Sequence, residues 1–230
     1  DGANIASDMT RVGVRATPWN RAQLRSSVTG ESTEYGPRTF ASAGLTQGWQ
    51  LNKYWALDAG VDQSHTLSDG RALPLNPDAP LASGSLNDDF FASFLGVLYR
   101  EANWTFTSRV ELRNSDLERR QTYAGGFYRE PVAGHALSMT ALIVNSDLAT
   151  GNASISSNVR FSWAYRPGAS RWMLLDRLDL IHDRRTAGFA TNESGRIVNN
   201  LNTTWQFDER TQFGLQYGSR SARTTFDGVA

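Results

Sequence analysis

Ile155-Ser156-Ser157-Asn158-Val159-Arg160-Phe161-Ser162-Trp163-Ala164-Tyr165 alternates with a period of two. Ile155, Val159, Phe161, Trp163 and Tyr165 fall on one side. Ser156, Asn158, Arg160, Ser162 and Ala164 fall on the other. Successive side chains of a strand point to opposite faces, so this run predicts a strand with one apolar and one polar face. The same rhythm recurs along the chain. Trp104, Phe106, Val110 and Leu112 alternate with Thr105, Thr107, Arg109, Glu111 and Arg113. Trp55, Leu57, Ala59 and Val61 alternate with Ala56, Asp58, Gly60 and Asp62. Leu24 and Val28, then Ile197, Leu201 and Trp205, then Phe213, Leu215 and Tyr217 continue it. Near residue 176 the pattern is less clean, because Asp176 shares a face with Leu178 and Leu180, and a bulge is expected there.

About twelve strands follow from this rule. They cover 9–19, 22–34, 38–51, 54–67, 89–100, 104–117, 121–131, 136–147, 153–166, 171–184, 195–207 and 211–224. Strands of soluble proteins are usually about 5–6 residues long, whereas a tilted membrane-spanning strand needs about 9–11. Length and alternation therefore both predict an all-β, antiparallel, up-and-down transmembrane β-barrel, a single domain over residues 1–230.

Short turns are expected at 19–21, 51–53, 100–103, 132–135, 167–170 and 208–210. Longer polar links are expected at 35–37, 68–89 (with Pro74, Pro77 and Pro80), 114–120, 147–152 and 186–194. Short turns at one end and longer loops at the other are the pattern of a bacterial outer-membrane barrel. Each of the seven tryptophans, Trp19, Trp49, Trp55, Trp104, Trp163, Trp172 and Trp205, lies close to a short turn. Tyr54, Tyr99, Tyr165 and Phe207 join them. An indole or phenol settles where hydrocarbon meets headgroup, so these rings predict a membrane-interface girdle. A soluble sandwich or propeller is the competing reading, but its core would place large aromatics mid-strand.

Composition agrees with this reading. Lys+Arg and Asp+Glu are 23 each, which lacks the basic excess of a nucleic-acid binder. With no Cys there is no disulfide framework and no thiolate metal site. The one lysine, Lys53, lies outside any G-x-x-x-x-G-K motif. The longest apolar runs are too short for a spanning helix. No signal peptide is visible at Asp1.

The polar face is expected to line a lumen with Arg11, Arg15, Arg25, Glu31, Asp58, Asp62, Arg109, Glu111, Arg113, Arg160, Arg177, Asp179 and Arg220. Eight arginines against five carboxylates give a weak preference for anions, or a lattice of ion pairs across a narrow interior. Enzymatic motifs are missing: there is no H-E-x-x-H and no G-x-S-x-G. Asp62 with His65, or Asp179 and Asp183 with His182, could activate water at a rim, but His182 has the opposite parity from Asp179. No catalytic residue is assigned, no metal or cofactor is expected, and the chain is read as a non-enzyme. The acidic tip Asn87-Asp88-Asp89 is too small for a Ca²⁺ shell. Of four N-x-S/T matches, Asn202 falls mid-strand on the lumenal side, where glycosylation is implausible.

A barrel with both termini in the periplasm opens with a long outer loop, and here the first connection is short. Residues 9–19 are thus expected to run inward, with Asp1–Asp8 in an outer loop and the last strand ending outside near Arg223-Thr224 or Asp227-Gly228. Gly228-Val229-Ala230 also lack a final aromatic-ended strand. One further strand at each end would make fourteen in a longer polypeptide, and a closed twelve-stranded barrel of inverted orientation is the alternative.

Three segments carry a resemblance. They are Trp172-Met173-Leu174-Leu175-Asp176-Arg177-Leu178-Asp179-Leu180, Arg196-Ile197-Val198-Asn199-Asn200-Leu201-Asn202, and Trp205 to Arg210 with Gln216-Tyr217-Gly218-Ser219-Arg220. Over about the last 60 residues the chain resembles the C-terminal barrel of very large proteobacterial surface proteins with extracellular repeats. The resemblance implies an anchor or conduit in the bacterial outer membrane for a larger surface protein, and it carries over no catalytic residue. Expected partners are outer-membrane lipid, the barrel-assembly machinery and the protein's own N-terminal surface domains. A passive porin-like channel is the second reading and an outer-membrane hydrolase the third.

Overall fold

The computed structural model describes residues 8–33, 36–69, 89–168 and 170–227. Twelve strands form one sheet: β1 Asp8–Ala16, β2 Ala22–Thr33, β3 Gly36–Gln50, β4 Trp55–Asp69, β5 Phe90–Glu101, β6 Trp104–Ser115, β7 Glu118–Val132, β8 His135–Leu148, β9 Ala153–Tyr165, β10 Trp172–Ala187, β11 Ala190–Gln206 and β12 Gln212–Asp227. Each strand pairs antiparallel with its predecessor and its successor in the chain, and the described residues contain no helix. The expected all-β, up-and-down architecture is present, strand for strand. Among the described residues β1 pairs only with β2, β12 pairs only with β11, and β1 and β12 do not approach each other.

Burial is inverted relative to a water-soluble domain. Among the described residues the buried hydrophobics are Ala22, Phe40 and Ala92, all but one of them small. The buried polar or charged residues are more numerous: Ser27, Thr29, Arg38, Ser64, Glu118, Ser146 and Asp179. Large apolar side chains such as Val12, Leu95 (opposite Ala59), Phe161 and Leu215 are instead exposed. The register explains the split. Residues paired directly across neighbouring strands share a face. Rows such as Leu57–Val97–Ser108 and Ala59–Leu95–Val110–Tyr123 therefore stack along one side, and Arg25–Gly44–Asp62–Ala92–Arg113–Arg120 stack along the other.

Two expectations need correction. The long links at 114–120 and 186–194 are mostly strand. β6 and β7 are joined by Asp116-Leu117 alone, and β10 and β11 by Gly188-Phe189, with Gly188 at φ 58°. The link at 147–152 shrinks to 149–152, where Gly151 takes φ 85°. Both ends of the sheet therefore carry tight turns. Of the expected link at 35–37, Gly36 and Pro37 belong to β3 and residue 35 lies outside the described residues, as do 70–88 with Pro74, Pro77, Pro80, Asn87 and Asp88. The expectations for residues 1–7 and 228–230 also lie outside them. The reason is that ladder hydrogen bonds do not require apolar side chains, so strands continue after both faces turn polar. The second correction concerns Asp176. Residues Trp172–Ala187 pair with β11 without a register shift, and Leu174–Thr186 pair likewise with β9, so there is no bulge. Asp176 simply stands on the apolar face, where the Asn199 side-chain amide donates to it at 2.8 Å. The register shifts fall elsewhere, at Thr39/Phe40 and between Arg129 and Val132.

Candidate functional site: the polar face and the aromatic band

All twelve sequence-predicted lining residues, Arg11, Arg15, Arg25, Asp58, Asp62, Arg109, Glu111, Arg113, Arg160, Arg177, Asp179 and Arg220, stand on one face of the sheet, as does Glu31. Most of the charges are knitted across strands. Arg25 on β2 reaches over β3 to both oxygens of Asp62 on β4, at 2.8 Å each. Arg109 lies 3.8 Å from Asp58 and 3.5 Å from Glu111. Asp179 accepts from Arg160 at 2.6 Å and from Arg177 at 2.7 Å. Such side chains lie flat because the strand beneath them carries glycine. A Cβ at Gly44 would collide with Asp62, and one at Gly96 with Asp58.

Phenylalanines add a second layer. The Arg109 guanidinium sits 3.6 Å from the centre of the Phe94 ring, and Arg113 sits 3.9 Å from that of Phe90. A ring beside an arginine supplies a cation–π contact and shields the charge from water. Phe94 in turn rests on Gly60, where a Cβ would come within 2.6 Å of both the ring and the Leu45 carbonyl oxygen. Gly60→Val is therefore expected to lift Phe94 off the sheet and lower stability by about 1–2 kcal/mol. Gly195→Ala, which meets open space, should leave the urea midpoint unchanged, so the pair of midpoints checks the argument. Between β1, β2, β4 and β6 the polar face leaves a recess of about 300 Å³, lined among others by Arg11, Arg25, Asp62, Glu111 and Arg113.

Three charged centres escaped the sequence reading. Glu118 is buried, pairs with Arg120 at 2.9 Å and accepts a hydrogen bond from Ser146. Both acid and base lay in what was expected to be a loop. Arg196 pairs with Asp183 at 3.3 Å, both on strands that were expected, but neither was among the lining residues. Arg38 is 2% exposed, yet it donates to Thr66 at 2.6 Å, lies 3.7 Å from Asp89 and 3.9 Å from Glu31, and stacks 4.9 Å from Phe40. The register across the β2–β3 and β6–β7 turns pairs Glu31 with Arg38 and Arg113 with Arg120, which puts these charges on this face; a period-two count within one strand does not reach them.

Asp89 opens β5 and closes over this corner. It accepts from the Thr66 amide at 2.6 Å and faces His65 Nδ1 at 2.8 Å. Burial pushes its carboxyl up, but the Thr66 hydrogen bonds, His65 and Arg38 together outweigh that and hold it below the ordinary aspartate value. A depressed carboxyl stabilises the fold above the unfolded-state pKa and loses that contribution as pH falls through the lower folded value. The Thr66 amide is therefore expected to stay protected from exchange at pH 5 and to lose protection only as pH falls below the ordinary aspartate range, through the lower folded value of Asp89. Exchange followed by NMR, alongside the Asp89 carboxyl titration, checks this, and Thr66 protection that does not follow the protonation of Asp89 would contradict it.

The proposed histidine pairs do not assemble. Asp62 and His65 stand on opposite faces, as do Asp179 and His182. His65 faces Asp89 instead, and His182 lies 3.9 Å from Glu193 on the apolar side. Among the described residues no group of three or more His, Asp or Glu side chains could hold a metal.

The girdle candidates Trp19, Trp49, Trp55, Trp104, Trp163, Trp172, Trp205, Tyr54, Tyr99 and Tyr165 all lie at one end of the sheet, where odd strands end and even strands begin. Trp49, Trp55, Tyr99, Trp104, Trp163, Tyr165, Trp172 and Trp205 share the apolar face. They touch in series. Trp55 meets Tyr99 edge-on at 4.8 Å, Tyr99 meets Trp104 at 4.2 Å, and Trp172, Trp205 and Phe213 stack at 5.9 and 5.8 Å. Their polar atoms find partners at the strand ends: Tyr99 and Trp104 both donate to Glu101 at 2.8 Å, and Trp19 donates to Gln47. No protein-family model matches the chain, and no curated protein matches it either.

Proposed function

We propose that this chain is an outer-membrane β-barrel domain that anchors a larger cell-surface protein or serves as its conduit across the bacterial outer membrane. The inverted burial carries the reading. Polar and charged groups fill the sheltered face, and large apolar side chains face outward, where only a hydrocarbon surrounding would welcome them. The apolar stripe has the right height. On β10 it runs from Trp172 to Leu180, broken by Asp176 and its Asn199 partner alone, before His182 and Arg184 take over. Nine residues at about 3.3 Å, tilted by roughly 40°, span about 23 Å, close to the apolar band of such barrels. The interlocked Arg–carboxylate pairs favour an anchor with a crowded interior over a wide pore.

A passive channel for small, weakly anion-preferring solutes is the second reading, favoured by Arg11, Arg15 and Arg220, which have no carboxylate partner among the described residues. Detergent-refolded full-length protein, run boiled and unboiled on a gel, tests the first step. A heat-dependent shift together with recovery in the outer-membrane fraction is expected. Solubility without detergent and no shift would overturn the membrane reading. Planar-bilayer conductance then separates the two uses: a closed or barely conducting protein supports the anchor, steady anion-selective current the channel.

A further inference from the structure

We infer that the free edges of β1 and β12 are a docking seam for an amphipathic β-hairpin that carries carboxylates on its polar face. The inference goes beyond the anchor reading, because it rests on the two edges themselves. β12 is exposed at every one of its 16 residues, on both faces, and β1 at all but the last of its nine. Each presents a row of ladder groups with no partner among the described residues, which is a template for another strand. Inside a membrane such groups must be paired.

Direction restricts what fits. In an up-and-down sheet of twelve, β1 and β12 run opposite ways. An insertion that stays antiparallel at both junctions must contain an even number of strands, and a hairpin is the smallest. Charge restricts it further. The polar face of β1 carries Arg11 and Arg15 and no acid; that of β12 carries Arg220 and no acid. Within the set of lining residues, Arg25, Arg109, Arg160 and Arg177 on interior strands all meet a carboxylate on their own strand or at most two strands away. Arg15 and Arg220 meet none among the described residues, and Arg11 only donates to Ser27 at 3.0 Å. Pressing β12 against β1, or against β1 of a second copy, would join two polar faces that carry arginine and supply no acid to either. An acid-bearing hairpin supplies the missing half of the ion-pair lattice. Its other face would be apolar, to continue Val12 and Val14 on one side and Leu215 and Tyr217 on the other.

The test uses the full chain in detergent micelles and two synthetic hairpins with an Asn-Gly turn. One alternates valine with aspartate; the other has lysine for aspartate. Amide exchange of β1 and β12 is the readout. The acidic hairpin is expected to slow exchange along both edge strands by roughly tenfold or more, and the basic one to leave it unchanged. In the double variant Arg15→Glu/Arg220→Glu the preference should invert. Equal protection by both peptides, or by neither, would overturn the inference. So would edge protection without peptide, whether independent of concentration (direct closure) or rising with it (a second copy). Membrane fractionation is scored separately, so failure here is distinct from failure of the barrel reading.

Discussion

Leu95→Arg is expected to destabilise the protein by about 2–4 kcal/mol in a lipid bilayer. The same change on a water-exposed sheet would cost within about 0.5 kcal/mol. Leu95 is 58% exposed on the apolar face, between Ala59 of β4 and Val110 of β6, halfway between the Tyr99 girdle and Phe91. With more than half of Leu95 open, little protein contact is lost on substitution. Any large penalty must therefore come from the surroundings, through the cost of placing a guanidinium in hydrocarbon. Urea unfolding in short-chain phosphatidylcholine vesicles, followed by tryptophan fluorescence, measures it. Leu95→Ala serves as the control for lost apolar area. A penalty no larger than that of the alanine variant would remove lipid from the account of this face.

Asp179→Ala probes the opposite face and should cost about 3 kcal/mol, at the low end for breaking a buried ion pair. Asp179 is 4% exposed and accepts from two guanidinium groups on adjacent strands. Without it Arg160 and Arg177 confront each other across β9 and β10. Both arginines keep nearly half of their surface in solvent, which limits the penalty. Asp62→Ala is the internal comparison. The Arg25–Asp62 pair is more open, with Arg25 57% exposed, and its loss is expected to cost below about 1 kcal/mol. Equal losses for the two variants would mean that burial does not grade these pairs.

The elements with an apolar stripe were the legible ones. Ile155–Tyr165 reads as a strand because Ile155, Val159, Phe161, Trp163 and Tyr165 all share one parity, and β9 covers Ala153–Tyr165. The twelve lining residues were legible for the same reason, since parity alone assigns a face. What parity could not read is a strand whose two faces are both polar. β11 begins at Ala190 rather than 195, and β7 at Glu118 rather than 121, because His182, Asp183, Glu193 and Ser194 alternate polar with polar. The extension of β7 hid Glu118 and Arg120. Asp176 misled in the other direction, since a carboxylate among leucines suggested a bulge when a single amide from Asn199 satisfies it in register. Pairing across the chain, such as Arg25 reaching Asp62 over Gly44, depends on register between strands, which no single strand encodes.

The strictly consecutive strand order has a kinetic consequence. Every pairing is a hairpin, so the contacting residues are close along the chain and the loop-closure entropy of each step is small. The sheet can grow by zippering, one strand onto the last, with one slow step where β5 must find β4 across the 70–89 connection. Shortening that connection should speed assembly without altering the finished ladder, whereas cutting the chain there would leave β1–β4 and β5–β12 as two blocks able to form separately before they meet.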